Sequence, residues 1–438
     1  MTLLRNAALA IALAFLAGTA HAGTLVIHAG RILDVDRGMV LTDQAIRIDG
    51  ERIVGIEPWT GTSGHDAKVL DWSRMTVLPG LMDMHSHIAE EGQSADPAAP
   101  LKSTPARDAY IGARNARDTL FAGFTTVRDV GVYRGFGDVA LRDAINAGHV
   151  PGPRMFVAGA YITVTGGGGE ITGLPEGTVV PDDFRRGIAD DEAEVRRKVN
   201  AVLDGGADFI KMIATGAVLT AGTEPGESEY GEADIRAAVE EATRRGSFVT
   251  AHAHGAEGIK RAVRAGVRSI EHGSLIDDEA IALMKRHGTW LVADIYNGDY
   301  IDTIGRQQGW SEEILRKNLE TTQAQREGFR KAVKAGVNIA YGTDSGVYPH
   351  GDNARQFAYM VRHGLTPMQA IQSATINPAR LLGREQQLGS IAVGKQADLI
   401  AVDGDPLADI EVLRRVQAVV KNGTLVCADI EQCGNDGR

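Results

Sequence analysis

Two histidines stand one residue apart in Pro79-Gly-Leu-Met-Asp-Met-His-Ser-His87, at the end of an apolar run bounded by Pro-Gly. On a β-strand, side chains two apart share a face, so His85 and His87 could hold one metal ion. On a helix they would diverge by about 200°. Taken alone, the pair reads equally well as two polar residues at a strand end. The rest of the chain shifts that balance. Further apolar runs end in Lys211, in His252 and His254, in His272 and in Asp344. All are ligand types for a borderline cation.

Such residues need elements that bring their ends together. Eight segments read as strands: 76–87, 125–130, 154–158, 209–213, 248–254, 269–272, 289–295 and 338–344. Helical patterns lie between most of them, over 190–203, 232–245, 256–264 and 312–334. Alternation of this kind fits an α/β fold, a (β/α)8 barrel of the TIM type. A doubly wound open sheet is the runner-up, disfavoured because no Gly-x-Gly-x-x-Gly follows the first strand. In the barrel reading every candidate ligand falls at the C-terminal end of its strand, where barrel active sites are built. Both chain ends carry short strands with Gly and Asp turns, as in Ala45-Ile-Arg-Ile-Asp-Gly50 and Ala397-Asp-Leu-Ile-Ala-Val402. They predict one small β-sandwich domain from residues 23–78 and 388–438, around a barrel of 79–387. Thr165-Gly-Gly-Gly-Gly169 opens a long connection after the third barrel strand. No Gly-Lys-Ser/Thr follows, so a flexible or closely packed wall of the site is expected there rather than a phosphate cradle.

The first 22 residues read as an export signal. Arg5 precedes an apolar run over residues 7–17, and Ala20-His-Ala22 is a small-x-small cleavage site. The run is shorter than the ~20 residues that span a bilayer. The chain of 438 residues carries a formal charge of −11, which argues against a nucleic-acid partner. A periplasmic or secreted protein, free of the membrane after cleavage, is expected. In that compartment Cys427 and Cys433 could pair, with free thiols as the alternative.

The motif set resembles the amidohydrolase superfamily: His85-x-His87 on strand one, Lys211 on four, His252 on five, His272 on six and Asp344 on eight. Gly389-Ser-Ile-Ala-Val-Gly-Lys-Gln-Ala-Asp-Leu-Ile400 also looks like that superfamily's return into its end domain. The resemblance implies two divalent ions, usually zinc. His85, His87 and Asp344 would hold one, and His252 and His272 the other. Lys211, carbamylated by CO2, would bridge them; the alternative is a lysine paired with an acid at the barrel mouth. A bridging hydroxide would attack a polarised carbonyl, with Asp344 carrying the proton to the leaving amine.

Gly123-Phe-Thr-Thr-Val-Arg-Asp-Val-Gly131, Ala251-His-Ala-His-Gly255 and Ser269-Ile-Glu-His-Gly273 resemble the prolidase-like, Xaa-dipeptidase or carboxypeptidase group, with ochratoxin-hydrolysing amidohydrolases as relatives. Those relatives often carry Thr-Gly-Gly-His-Gly where this chain has Thr165-Gly-Gly-Gly-Gly169. The resemblance implies hydrolysis of the amide to a C-terminal amino acid in a small molecule: a dipeptide, Xaa-Pro, an N-acyl amino acid or ochratoxin A. His254 and Tyr230 are the substrate-contact candidates, with a supporting hydrogen bonder and an exposed loop tyrosine as the respective alternatives. Arg128-Asp129 reads as a structural ion pair. A homo-oligomer is expected. The competing functions are a cyclic-amide, ester or phosphotriester hydrolase, and an exported zinc-binding protein without catalysis. A serine hydrolase is disfavoured because Gly-x-Ser-x-Gly is absent.

Cleavage after Ala22 predicts that intact-mass analysis of exported protein shows a chain beginning at Gly23. An intact Met1 terminus on exported material would contradict it.

Overall fold

The computed structural model describes residues 25–62 and 67–429. The expected export signal and Cys433 lie outside the described residues. Cys427 is buried and carries no free thiol.

Seven strands from both ends form one sheet. They are β1 (Leu25–Asp34), β2 (Met39–Asp49), β3 (Arg52–Pro58), β4 (Lys68–Pro79), β13 (Leu399–Asp403), β14 (Val416–Lys421) and β15 (Thr424–Cys427). Their order is β15-β14-β13-β4-β1-β2-β3. Leu25, Ile27 and Ala29 alternate inward along β1 and pack with Ile46, Ile53, Leu399 and Ala418 in a core of their own. The Ile53 amide donates to the Lys395 carbonyl at 3.0 Å, so the sheet curls until its far edge meets the segment entering β13.

Eight strands make the barrel: β5 (Leu81–Ser86), β6 (Phe124–Asp129), β7 (Arg154–Val157), β8 (Ile210–Ile213), β9 (Val249–Gly255), β10 (Ser269–Leu275), β11 (Trp290–Ala293) and β12 (Asn338–Tyr341). All paired neighbours are parallel. The first expected strand, residues 76–87, is two strands. Residues 76–79 belong to the curled sheet, and Gly80 is the joint. A side chain there would strike Thr125 Oγ1, so only glycine fits.

Two seams close the ring, both at the level of the candidate ligands. Ile162 accepts from the Ile213 amide and donates to the Lys211 carbonyl, each at 2.8 Å. The Asp344 amide donates to the His85 carbonyl at 2.7 Å, and the His87 amide to the Ser345 carbonyl at 2.8 Å.

The intervening helices include Glu192–Asp204, Glu232–Arg244, Ala256–Ala265 and Glu312–Ala335, each within two residues of its predicted limits. Asp191 and Ser311 cap two of them through side-chain oxygens. Among the described residues no helix is long and apolar enough to cross a membrane.

Candidate active site

The barrel mouth gathers the chemistry. One cavity is lined by His85, His87, Lys211, His252, His254, His272 and Asp344, together with Asp294 and Asn297. Six of the seven residues named first were predicted metal ligands, and His254 was a predicted substrate contact.

His85 and His87 come from one face of β5, as alternation requires. Their Nε2 atoms lie 3.4 and 3.3 Å from Asp344 Oδ1. These spacings have a physical meaning. Ligand atoms about 2.0–2.1 Å from a shared tetrahedral ion stand about 3.3–3.4 Å apart. The other nitrogen of each ring is already committed. His85 Nδ1 lies 2.8 Å from Glu271 Oε2, and His87 Nδ1 lies 2.8 Å from the Gly131 carbonyl. With a donor hydrogen on Nδ1, Nε2 is the atom that each ring in its neutral form presents for ligation.

On the opposite side, His252 Nε2 lies 3.3 Å from the Gly216 carbonyl, which leaves Nδ1 for a cation. His272 Nδ1 bonds Asp294 Oδ1 at 3.0 Å, leaving Nε2. The rings of His252 and His272 are 4.6 Å apart, and His272 stands 4.7 Å from His85. His272 also forms a donor cluster with Asp294 and Asp344. Asp294, however, is occupied by His272, by Gln325 at 2.8 Å and by Asn297 at 3.2 Å. It therefore orients His272 rather than competing for an ion.

Strand alternation alone would not build this site. Glu271 and His272 are neighbours on β10, so a regular strand would turn them to opposite faces. Both nonetheless approach His85. His272 adopts φ 67°, a left-handed conformation that returns its ring to the mouth. Asp344 does the same with φ 57°, while its neighbour Thr343 binds Asp83 beneath the site. Non-glycine residues pay about 1–3 kcal/mol for such strain, which persists where surrounding contacts enforce it.

Electrostatics favour cations here. His87 is pushed up to about 9: burial works against the proton, but the Asp344 carboxylate and the charges of Glu90 and Asp129 outweigh it. A bound cation would meet that same negative charge. Burial drives His252 well down and His254 to about 3, with His272 adding to both, so these rings are neutral donors. Burial also lowers the Lys211 ammonium to about 8, against the pull of Glu271 and Asp344. A neutral amine is the form that reacts with CO2.

His254 lines the cavity, with Nδ1 2.7 Å from Ser274 Oγ. Tyr230 is placed differently from its expected role. It is buried, its hydroxyl donates to the Ala189 carbonyl at 2.6 Å, and it does not line the cavity. The phenol found a backbone partner in the core instead of a substrate. The ion-pair reading of Arg128-Asp129 also needs a correction. Arg128 pairs with Glu271 at 2.6 Å, while Asp129 accepts backbone amides of Ile88 and Gly131. Of the two expected forms, flexible or closely packed, the glycine loop is packed at Gly169, where a side chain would strike Ile213, and open at Gly166.

Sequence reasoning missed Glu271, Asp294 and Asn297. Asn297 Nδ2 donates to Asp344 Oδ2 at 2.9 Å and bridges it to Asp294. Asp294 carried a usable signal, since it ends a predicted strand as the ligands do. His350, given no role, sets Nε2 3.1 Å from the His87 carbonyl.

Fold and donor set together define a class: a closed (β/α)8 barrel whose mouth is built to hold cations beside a buried carboxylate. The chain belongs to the amidohydrolase family, which it matches over residues 76–426. It is 32% identical over 425 residues to an ochratoxinase of Aspergillus niger, covering 92% of this chain and 86% of that one. A solved Xaa-Pro dipeptidase with methionine bound in its active site superposes with a TM-score of 0.87. It is 39% identical and covers 92% of this chain and 100% of its own. A prolidase solved with N-methylphosphonate-L-proline gives a TM-score of 0.86 at 33% identity, covering 93% of this chain and all of that one. The protein is thus a hydrolase of amide bonds that acts on small molecules. Its superfamily generally carries binuclear metal centres, and the donor clusters at this mouth match that requirement.

Glu271→Gln is expected to lower metal affinity by about 10–100-fold, the usual cost of losing a partner that orients a ligand. Metal content after dialysis against graded chelator measures it. Retention equal to the native protein's would show that His85 does not depend on Glu271.

Proposed function

We propose that the chain hydrolyses the amide joining an acyl group to a C-terminal amino acid with a free carboxylate. Dipeptides, Xaa-Pro, N-acyl amino acids and ochratoxin A belong to this class. The observation that carries the reading is the pair of 3.3–3.4 Å contacts from His87 and His85 to one oxygen of Asp344, whose other oxygen is fixed by Asn297. The ochratoxinase and Xaa-Pro dipeptidase relatives support the substrate class.

In this reading His85, His87 and Asp344 would hold one zinc ion and His252 and His272 the other, and carbamylated Lys211 would supply a further anionic ligand. When bound, the two ions supply a water activated near neutral pH and an electrophilic site for the carbonyl. The protein does the rest. Asp344 takes the proton of the attacking water on Oδ2, beside Asn297, and returns it to the leaving nitrogen. His254 offers its free Nε2 to the substrate from the cavity wall. The barrel mouth, narrowed by the Gly168–Gly169 wall, admits short substrates and excludes folded chains. Export and homo-oligomerisation complete the proposal.

Lys211→Ala is expected to lose most bound metal and nearly all turnover, and small carboxylates should restore part of the rate. Two metals per chain and full activity in that variant would remove the bridge. Asp344→Asn should lose turnover by about 100-fold or more while the fold persists. An unchanged rate in folded protein would end the proton role. The substrate claim is tested by screening dipeptides and N-acyl amino acids, then comparing the best substrate with its C-terminal amide. Loss of a buried charged contact should cost about 2–5 kcal/mol in kcat/KM terms. Equal rates on the two would favour a cyclic-amide or ester hydrolase instead.

A further inference from the structure

A second cavity opens beyond the first. The inner one, around the ligands, has a volume of about 110 Å³, and the outer one about 240 Å³. Gln93, Tyr133, Leu219 and Thr220 line both and form the neck between them. The neck is braced. Thr220 Oγ1 donates to the Gly168 carbonyl at 2.7 Å, and buried Lys317 donates to the Thr220 carbonyl at 2.7 Å.

We propose that the outer chamber is the acyl subsite, and that it takes a neutral, bulky acyl group, aromatic by preference. The amino-acid half then lies in the inner chamber with its carboxylate. This rests on the amide reading above. Three observations carry it.

The first is size. Neither chamber alone reaches the ~300 Å³ at which pockets for drug-sized ligands begin, but the two joined do. A substrate cut at the ligands and too large for the inner chamber therefore extends through the neck into the outer one.

The second is an apolar wall that runs through both. Trp310 and Leu315 pack with Ile301 and Val347 in a small cluster apart from the main core, flanked by Leu219 and Ile314. Ile301 and Val347 face the inner chamber, Trp310 and Ile314 the outer one, and Leu219 both. Flat apolar groups suit such a surface.

The third is charge. Glu91, Asp96, Asp108, Glu170 and Glu313 line the outer chamber, and Arg134 is the one basic residue among its lining. That guanidinium is spent on Asp108, Asp183 and the Ser103 carbonyl, and it stacks on Phe184 at 4.4 Å. The five carboxylates are themselves ion-paired, with Arg107, Lys102, Arg134, Arg185 and Lys317 in that order, so an anionic group in this chamber would find no unpaired cation among its lining. The substrate's carboxylate is therefore directed inward, and the orientation of the amide follows.

The test uses one leaving amino acid, chosen from the substrate screen, with N-acetyl, N-benzoyl, N-2-naphthoyl and N-succinyl acyl groups. In the native enzyme, kcat/KM should rise about tenfold or more from acetyl to naphthoyl, within the range that hydrophobic pockets discriminate, and succinyl should fall to acetyl's level or below. Trp310→Ala should lower the naphthoyl-to-acetyl ratio of kcat/KM by about tenfold. Ala221→Phe, which fills the outer chamber from a partly exposed position, should exclude naphthoyl while sparing acetyl, and it covers the case in which Trp310→Ala fails to fold. A flat acyl series, a succinyl preference, or a naphthoyl-to-acetyl ratio unchanged in folded Ala221→Phe would overturn the subsite while the amide reading stands. Failure to cleave any member, with turnover of a cyclic amide or ester, would overturn both.

Discussion

The carboxylate of Glu271 is the interaction on which the site depends. It is fully buried in the barrel, where an unpaired charge is prohibitive. Arg128, equally buried, meets one oxygen at 2.6 Å, Ser269 donates to that same oxygen at 2.7 Å, and Thr250 joins them. The second oxygen is left for His85. Burial would raise this carboxyl, yet Arg128 and the His85 bond hold it well below the usual carboxylate range. A buried pair of this kind adds little net stability, because desolvation offsets attraction. It confers direction instead. Strands β6, β9 and β10 are pinned to β5 through side chains, and one histidine nitrogen is turned to the mouth.

Above that layer, the backbone itself is bent toward function. His272 and Asp344 both adopt left-handed conformations, the first within the sixth barrel strand and the second just beyond the end of the eighth. Each follows a residue that faces the barrel interior: Glu271 in one case, and Thr343, which binds Asp83, in the other. Two consecutive inward residues are forbidden to a regular strand, and the positive φ is how the chain supplies them. Gly273 and Gly346, next or nearly next in sequence and also left-handed, let the chain leave these kinks without a second penalty.

What was legible in the sequence was what obeys a period. His85-x-His87 shows its shared face because β5 is regular, and the helix 312–334 shows its extent through 3.6-residue spacing. The ligands on different strands were legible only as a family pattern, since no local rule places Lys211 beside Asp344. Glu271 was invisible for a related reason: alternation assigns it the face opposite His272, and only the positive φ cancels that rule. Tyr230 misled because loop position suggests exposure, whereas its burial depends on the Ala189 carbonyl, 41 residues away. The strand boundary at Gly80 was marked by Pro79-Gly80, but nothing local told which side belonged to which sheet.

The curled sheet is part of the mechanism's geometry and not an appendage. Only Gly80 separates β4 from β5, so the strand that carries His85 and His87 begins where the sheet ends. The Gly80 amide donates to the Asp398 carbonyl at 2.8 Å, and Arg154 on β7 bonds the Asp398 carboxylate at 2.6 Å and also Asn422. The base of the barrel is thereby clamped to β13 and to the turn before β15. A short strand held at its base by two backbone directions has little freedom to tilt at its tip. Placement of His85 and His87 against Asp344 to within a few tenths of an ångström is thus shared between a carboxylate inside the barrel and a sheet outside it. The two chain ends meet in that sheet, which is why residues more than 300 positions apart in sequence jointly set the position of one pair of ligands.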